Sequence, residues 1–306
     1  MSRPALRLLI GFSPGSASDI VARLVAPHLS RLLGRAVRVE SHLGKSGENA
    51  GRQLAQTAPD GTTLLIATLG THALKRALHP LPVTDPDDGC APVSLLATAP
   101  LVVTAANDLG VSSIAELVAR ARAAPDELEF ASSAIGGAPH LAGELFCRVA
   151  GVRMRHRPYL HTEALYVDLE SGAVPLTFNN IMSALPLARA GRAVALAVTG
   201  ARRSPMAPDV PTVAESGIRD YEVINWVGVV ARVGTPSRIV ADINSALTTT
   251  IEEHDVRARL SALGMEAAAG SPEAFALHIR TETIRWAGLV AAIPGPSPRS
   301  GAQVLP

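Results

Sequence analysis

Four times along the chain, a short β-rich apolar run passes through a loop of small residues into a helix-period pattern. The first spans residues 6–12, crosses 13–18, and enters a stretch where Ile20, Val21, Leu24, Val25, Leu29 and Leu32 recur at helical spacing. The second is the strand-like run 63–67, the loop 68–71 and a short helix reaching Leu78; the third is 128–131, the loop 132–139 and a helix over 140–149. The fourth is 175–179 followed by a helix over 182–190. Strands alternating with helices predict an α/β architecture of parallel sheets covered on both faces. Ligands of such sheets bind beyond the carboxyl ends of the strands, where all four loops fall. Two units precede Pro100 and two follow it, and the apolar extended stretches 95–105 and 223–233 suit crossings between two lobes. Pro27 is expected to kink the first helix.

Composition narrows the classes. The chain has 306 residues, 47% apolar and 18% charged, the balance of a folded globular protein of one or two domains. Its 28 basic and 27 acidic residues give a net charge of +1 without runs, and aromatics make up only 3%. Neither the charge footprint nor the stacking platforms of a nucleic-acid binder are present, and no nucleic-acid partner is expected. Cys90 and Cys147 match no metal or redox spacing; unpaired buried thiols are expected, with a long-range disulfide left open. No apolar run is long enough to span a membrane. The start of the chain places Arg3 and Arg7 before an apolar segment, but residues 8–12 fall short of a signal-peptide core of roughly 7 to 15 residues. It reads as the first strand of the mature fold, with any export signal absent from this chain.

Residues 11–15, Gly-Phe-Ser-Pro-Gly, form a literal G-x-S-x-G between a strand and a helix, the place of a hydrolase nucleophile. Such a serine needs the next residue's amide in its oxyanion hole, and here that residue is Pro14, which has no N–H. Ser16 and Asp19 instead make an S-x-x-D capping pattern that aims helix N–H groups back into the loop, the arrangement that holds carboxylates and phosphates. Capping alone would explain this loop. Repetition argues for more: Gly136 and Gly137 permit close backbone approach, Pro139 suits a first helical turn, and Thr71 and Ser133 offer hydroxyls at equivalent points. No lysine or arginine lies in the four loops, so an anion there would be held by amides and hydroxyls, without catalytic apparatus. Gly44-Lys45-Ser46 lacks the upstream glycine of a P-loop, and Asp85, Asp87 and Asp88 have the wrong spacing for a calcium loop. His72, His140 and His161 form no metal-ligand pair, and no metal or cofactor is expected.

Seven segments, in order, resemble the Bug-type (Bordetella uptake gene) extracytoplasmic receptors of tripartite tricarboxylate transporters, from Leu6 to about Ala292. They are GFSPGSASDIVARLVAPHLSRLLG, APDGTTLLIAT, APVSLLATAPLVV, FASSAIGGAPHLAGELF, RPYLHTEAL, LALAVTGARRSPMAPDVPTVAESG and YEVINWVGVVARVGTP. The resemblance implies a type II periplasmic binding protein fold: two Rossmann-like lobes that close by a hinge on a small organic carboxylate. It implies delivery of that ligand to a membrane permease, a periplasmic location, no enzymatic activity, and work as a monomer. Lobe I is expected over 1–99 and 229–306, lobe II over 100–228, with crossovers near 98–102 and 226–231. By motif matching, ligand contacts fall in the first lobe on Pro14, Gly15, Ser16, Ala17, Ser18, Thr68, Leu69, Gly70 and Thr71. In the second they fall on Ser133, Ile135, Gly136, Gly137, His140, Tyr159, His161, Thr162, Asn179 and Asn180.

Three departures from the family pattern bear on the ligand. Ser16 replaces a second glycine. Leu160-His161-Thr162 stands where Lys-Gly-Ser is frequent, which could bring a titratable ring near the cleft. Phe178-Asn179-Asn180 replaces Phe-Asp-Asn, which favours a carboxylate without an α-amino group, although Asn179 could equally be a strand-end cap. The competing readings are a serine hydrolase working through Ser13 and a ligand sensor for a membrane signalling partner.

Overall fold

The computed structural model describes residues 4–74, 89–132, 135–159 and 161–290, apart from the side chains of Lys45, Leu289 and Val290. Its elements run β1 (Leu6–Ile10), α1 (Ala17–Leu33), β2 (Val37–Ser41), α2 (Glu48–Ala55), β3 (Thr63–Thr68), a wide helical turn Leu69–Leu74, and β4 (Cys90–Ala105). They continue with α3 (Ile114–Ala123), β5 (Glu129–Ser132), α4 (Ala138–Ala150), β6 (Arg155–Pro158), α5 (Thr162–Glu170), β7 (Leu176–Asn180), α6 (Ile181–Arg189) and β8 (Val194–Val198). The last are β9 (Ile224–Arg232), α7 (Ser237–Glu252), α8 (His254–Ala262), β10 (Glu266–Ala267) and α9 (Pro272–Val290). Beyond Leu74, the helix expected to reach Leu78 lies outside the described residues, as do Asp85, Asp87, Asp88 and Ser133.

The strands form one sheet in the order β2-β1-β3-β9-β4-β7-β5-β6, with β10 and β8 also pairing β4. β2, β1 and β3 are mutually parallel, and so are β7, β5 and β6. The all-parallel expectation fails at the junction. β4 is antiparallel to β9, β7, β8 and β10, and β9 is antiparallel to β3. The two groups run in opposite directions, so β4 and β9, which lie between them, can each follow only one group and must oppose the other.

β4 has 16 residues, far beyond the usual strand of about 5–6. Cys90 to Pro100 pair with β9, whereas Leu101 to Ala105 pair with β7 and β8, so the strand changes partners at a proline that cannot donate to the ladder. Thr199 stitches this point. Its buried Oγ1 accepts the Leu101 N–H at 2.7 Å and donates to the Val223 carbonyl at 2.6 Å. β9 pairs with β3 over Val227–Ala231 and with β4 over Ile224–Arg232.

One core lies under α1, α7 and α8 and contains Val21, Val25, Leu29, Ile243 and Leu247. The opposite core runs from Leu54, Phe275 and Trp286 of the first strand group through to Leu117, Leu141 and Phe146 of the second. β3 is buried at every position, as a strand covered on both faces should be. α1 continues through Pro27 as one helix. Neither Cys90 nor Cys147 is in a disulfide, and burial pushes the Cys147 thiol up to about 12. Among the described residues no helix is long and apolar enough to cross a membrane.

Candidate functional site

The carboxyl ends of β1, β3 and β7 and the loop after β5 face one another around a cavity of about 80 Å3. From the first strand group it is bordered by Phe12, Gly15, Ser16, Ala17, Ser18, Thr68 and Gly70. From the second it is bordered by Gly137, Ala138, Pro139, Thr162, Asn179, Asn180 and Ser183, and Asn225 of β9 completes it. Four helices, α1, α4, α5 and α6, begin here. Among the described residues, no charged side chain borders the cavity.

In the first wall, Gly15 takes φ +79°, a left-handed turn that glycine adopts without strain, and Ser16 then caps α1. Ser16 Oγ accepts the Asp19 N–H at 3.3 Å, as the capping pattern predicts. The Asp19 carboxylate reaches one residue further back than a capping box, to the Gly15 N–H at 3.0 Å, and its other oxygen holds Arg23 at 2.7 Å. The Ser16 N–H donates to the Ser13 carbonyl at 3.2 Å. Gly15 and Ser16 amides are therefore spent inside the turn, and the open donors of α1 are the amides of Ala17 and Ser18. Ser13 Oγ bonds to no histidine among the described residues, and Pro14 stays exposed at the rim.

The second wall repeats this backbone. Gly136 takes φ +74°, Gly137 is the helix cap without a side chain, and the Gly136 N–H donates to His140 Nδ1 at 3.0 Å. That hydrogen bond turns His140 away from the cavity. Its ring lies against that of His156, centroids 3.9 Å apart and tilted by 33°, and is stacked with Phe130 at 6.3 Å. Burial, with His140 alongside, holds His156 down to about 3, and its Nε2 meets Ser132 Oγ at 2.8 Å.

The walls touch. A Cβ on Gly70 would lie 3.4 Å from Gly137 Cα, and Ser46 Oγ donates to the Ile135 carbonyl at 2.9 Å. Ser46 holds a left-handed φ of 53°, so the Gly44-Lys45-Ser46 fragment serves as a wall-to-wall contact.

Several expected contact residues do not border the cavity. Leu69 is wholly buried, and the Thr71 hydroxyl is taken by Thr68 and His72. Ile135 is 62% exposed, and the Tyr159 hydroxyl donates to Asp168 while burial pushes its pKa up to about 12. His161 caps α5 from an exposed position. Ala138 and Pro139, inside the loop stretch 133–140 expected to hold the ligand, do line the cavity, and Phe12, Ser183 and Asn225 line it without having been expected there. Asn225 had a signal, an amide inside the apolar stretch 223–233, and Ser183 lies one helical turn after Asn180.

Asn179 is 1% exposed. Its Oδ1 accepts the Asn180 N–H at 3.0 Å, and its Nδ2 has no partner in the protein. A buried donor left without an acceptor costs about 1–3 kcal/mol, which a ligand or water oxygen would recover.

The family model of the tripartite tricarboxylate transporter family receptor matches residues 21–294. Protein BugT of Bordetella pertussis is 32% identical over 291 residues, covering 94% of this chain and 89% of BugT. Rpa4515 of R. palustris, solved with adipate, superposes with a TM-score of 0.87 at 34% identity, covering 94% of this chain and 97% of that one. MatC of Rhodopseudomonas palustris, solved with bound malate, gives 0.86 at 31% identity, covering 94% and 98%. The mixed α/β sheet is the periplasmic binding protein fold of these receptors.

Proposed function

Because the chain belongs to the tripartite tricarboxylate transporter receptor family, we propose that it is a solute-binding receptor that captures a small organic carboxylate and hands it to a membrane permease. The observation that carries this reading is the convergence of four helix N-termini on one small cavity without a cationic side chain. Helix N-termini present unpaired amides and a positive dipole end, and several converging on one point hold an anion without arginine or lysine. The adipate and malate held by the two receptors described above are ligands of that class. Among the described residues no histidine is hydrogen-bonded to Ser13, and Pro14 has no N–H to offer an oxyanion hole; the receptor role requires neither.

In this reading the strand groups are two lobes, residues 1–99 with the C-terminal part and 100 to the start of β9. They hinge where β4 changes partners and where the chain returns ahead of Ile224. Contacts between Gly70 and Gly137, and between Ser46 and Ile135, are those of a closed cleft, and ligand bridging the two walls favours that state. The receptor works in the periplasm as a monomer. Calorimetric and thermal-shift titration with mono-, di- and tricarboxylates tests the proposal: at least one is expected to bind and raise the Tm. No response from any of them overturns it, and ester hydrolysis lost in Ser13→Ala would replace it.

A further inference from the structure

We infer that three asparagines act as a relay that sets the hydrogen-bonding sense of one end of the cavity, so that this end takes ligand oxygen and rejects an ammonium group. The inference rests on the carboxylate-receptor reading and names the ligand subclass. Asn225 and Asn180 flank the point where β4 changes partners: Asn225 is in register with Ala99 and Asn180 with Leu101. The Trp226 N–H donates to Asn225 Oδ1 at 3.0 Å. A main-chain N–H can only donate, so this contact fixes which end of the Asn225 amide is oxygen. Asn225 Nδ2 then donates to Asn180 Oδ1 at 3.0 Å, which leaves Asn180 Nδ2 without a protein acceptor among the described residues. The Asn180 N–H in turn donates to Asn179 Oδ1 at 3.0 Å, which leaves the buried Asn179 Nδ2 unpaired.

Both main-chain anchors drive the relay in one direction. Each amide oxygen already holds an N–H, and the two free groups at this end are donors. Reversing either anchored amide would set two donors against each other. A ligand carboxylate or hydroxyl oxygen meets two waiting N–H groups, whereas an ammonium meets those donors and, among the described residues that line the cavity, no carboxylate. Asp19, at the start of α1, is not among the residues lining the cavity, and its carboxylate is occupied by the Gly15 N–H and Arg23.

Matched titrations test this: succinate against aspartate, glutarate against glutamate, and adipate against 2-aminoadipate, on the wild type, Asn179→Asp and Asn225→Leu. The wild type is expected to bind at least one dicarboxylate ten or more times tighter than its α-amino partner. Asn179→Asp is expected to erase or reverse that ratio. Asn225→Leu, which removes the donor to Asn180 without adding a buried charge, is expected to reduce it several-fold in a protein that still melts cooperatively, and it decides the matter if Asn179→Asp does not fold. Equal binding of both members of each pair overturns the inference and leaves the receptor reading standing. A ratio unchanged in a folded Asn179→Asp overturns it too. Failure of every compound to bind the wild type withdraws both.

Discussion

The two walls of the cavity use one backbone device with opposite electrostatics. Gly15 and Gly136 each take the left-handed turn, Ser16 and Gly137 each cap a helix, and Ala17 and Ala138 each begin it. The side chain three residues after the cap then accepts the left-handed glycine's N–H at 3.0 Å: Asp19 does so in the first wall, His140 in the second. The first wall thereby spends the Gly15, Ser16 and Asp19 amides inside the turn, and its helix end is offset by a carboxylate, leaving the Ala17 and Ser18 amides as its open donors. In the second a hydrogen-bonded imidazole locks the same turn, the cap has no side chain, and no acid lies in the first helical turn. α3, which begins away from the cavity, repeats the arrangement of the first wall, with Ser113 accepting the Glu116 N–H and Glu116 accepting the Ser112 N–H. A helix start left uncapped is thus informative, because its amides remain available to something outside the chain.

The largest effect is expected where the walls meet. Gly70→Val places methyl groups against Gly137 and prevents full closure; overpacking of about 1–3 kcal/mol translates into roughly 5- to 150-fold weaker carboxylate binding. Calorimetry should show this while the ligand-free Tm changes little.

Exchanging the acceptors tests the comparison itself. His140→Asp keeps an acceptor for the Gly136 N–H but adds a negative charge at α4, and should weaken binding by about tenfold. Asp19→Asn removes charge from the first wall and should strengthen binding by roughly two- to fivefold, less because Arg23 already offsets Asp19. If neither titration moves, the two walls do not differ in the way described.

The smallest effect is on acid stability. His156 is held near 3 in the fold against an ordinary 6.5, so below about pH 6.5 the unfolded chain takes up a proton that the folded one refuses. Stability therefore falls as pH drops from 6.5 toward 3. The Tm of His156→Gln, which can keep the Ser132 contact, should decline less steeply between pH 6 and pH 4 than that of the wild type.

Much of this arrangement is legible along the chain. Period and punctuation locate β1, α1, β3, β5, α4, β7 and α6 within a few residues, because apolar spacing records which face of each element is covered. The Ser16 cap and the disabling of Ser13 by Pro14 are local chemistry that needs no fold. Less legible is where side chains point. His140 lies in the right loop, yet it turns back onto Gly136 and His156, and Tyr159 turns to Asp168, because partners distant in sequence compete for them.

The sequence by itself determined the α/β class, the small-residue loops and the absence of cations from them, since propensity, turn chemistry and residue type act over a few neighbours. Only the tertiary structure decided that β4 and β9 each oppose one strand group, that Ser46 reaches Ile135 and that Asn225 meets Asn180. The two side-chain contacts span 89 and 45 residues and the strand pairings more, and their existence depends on how the strand groups are joined and how far the walls close.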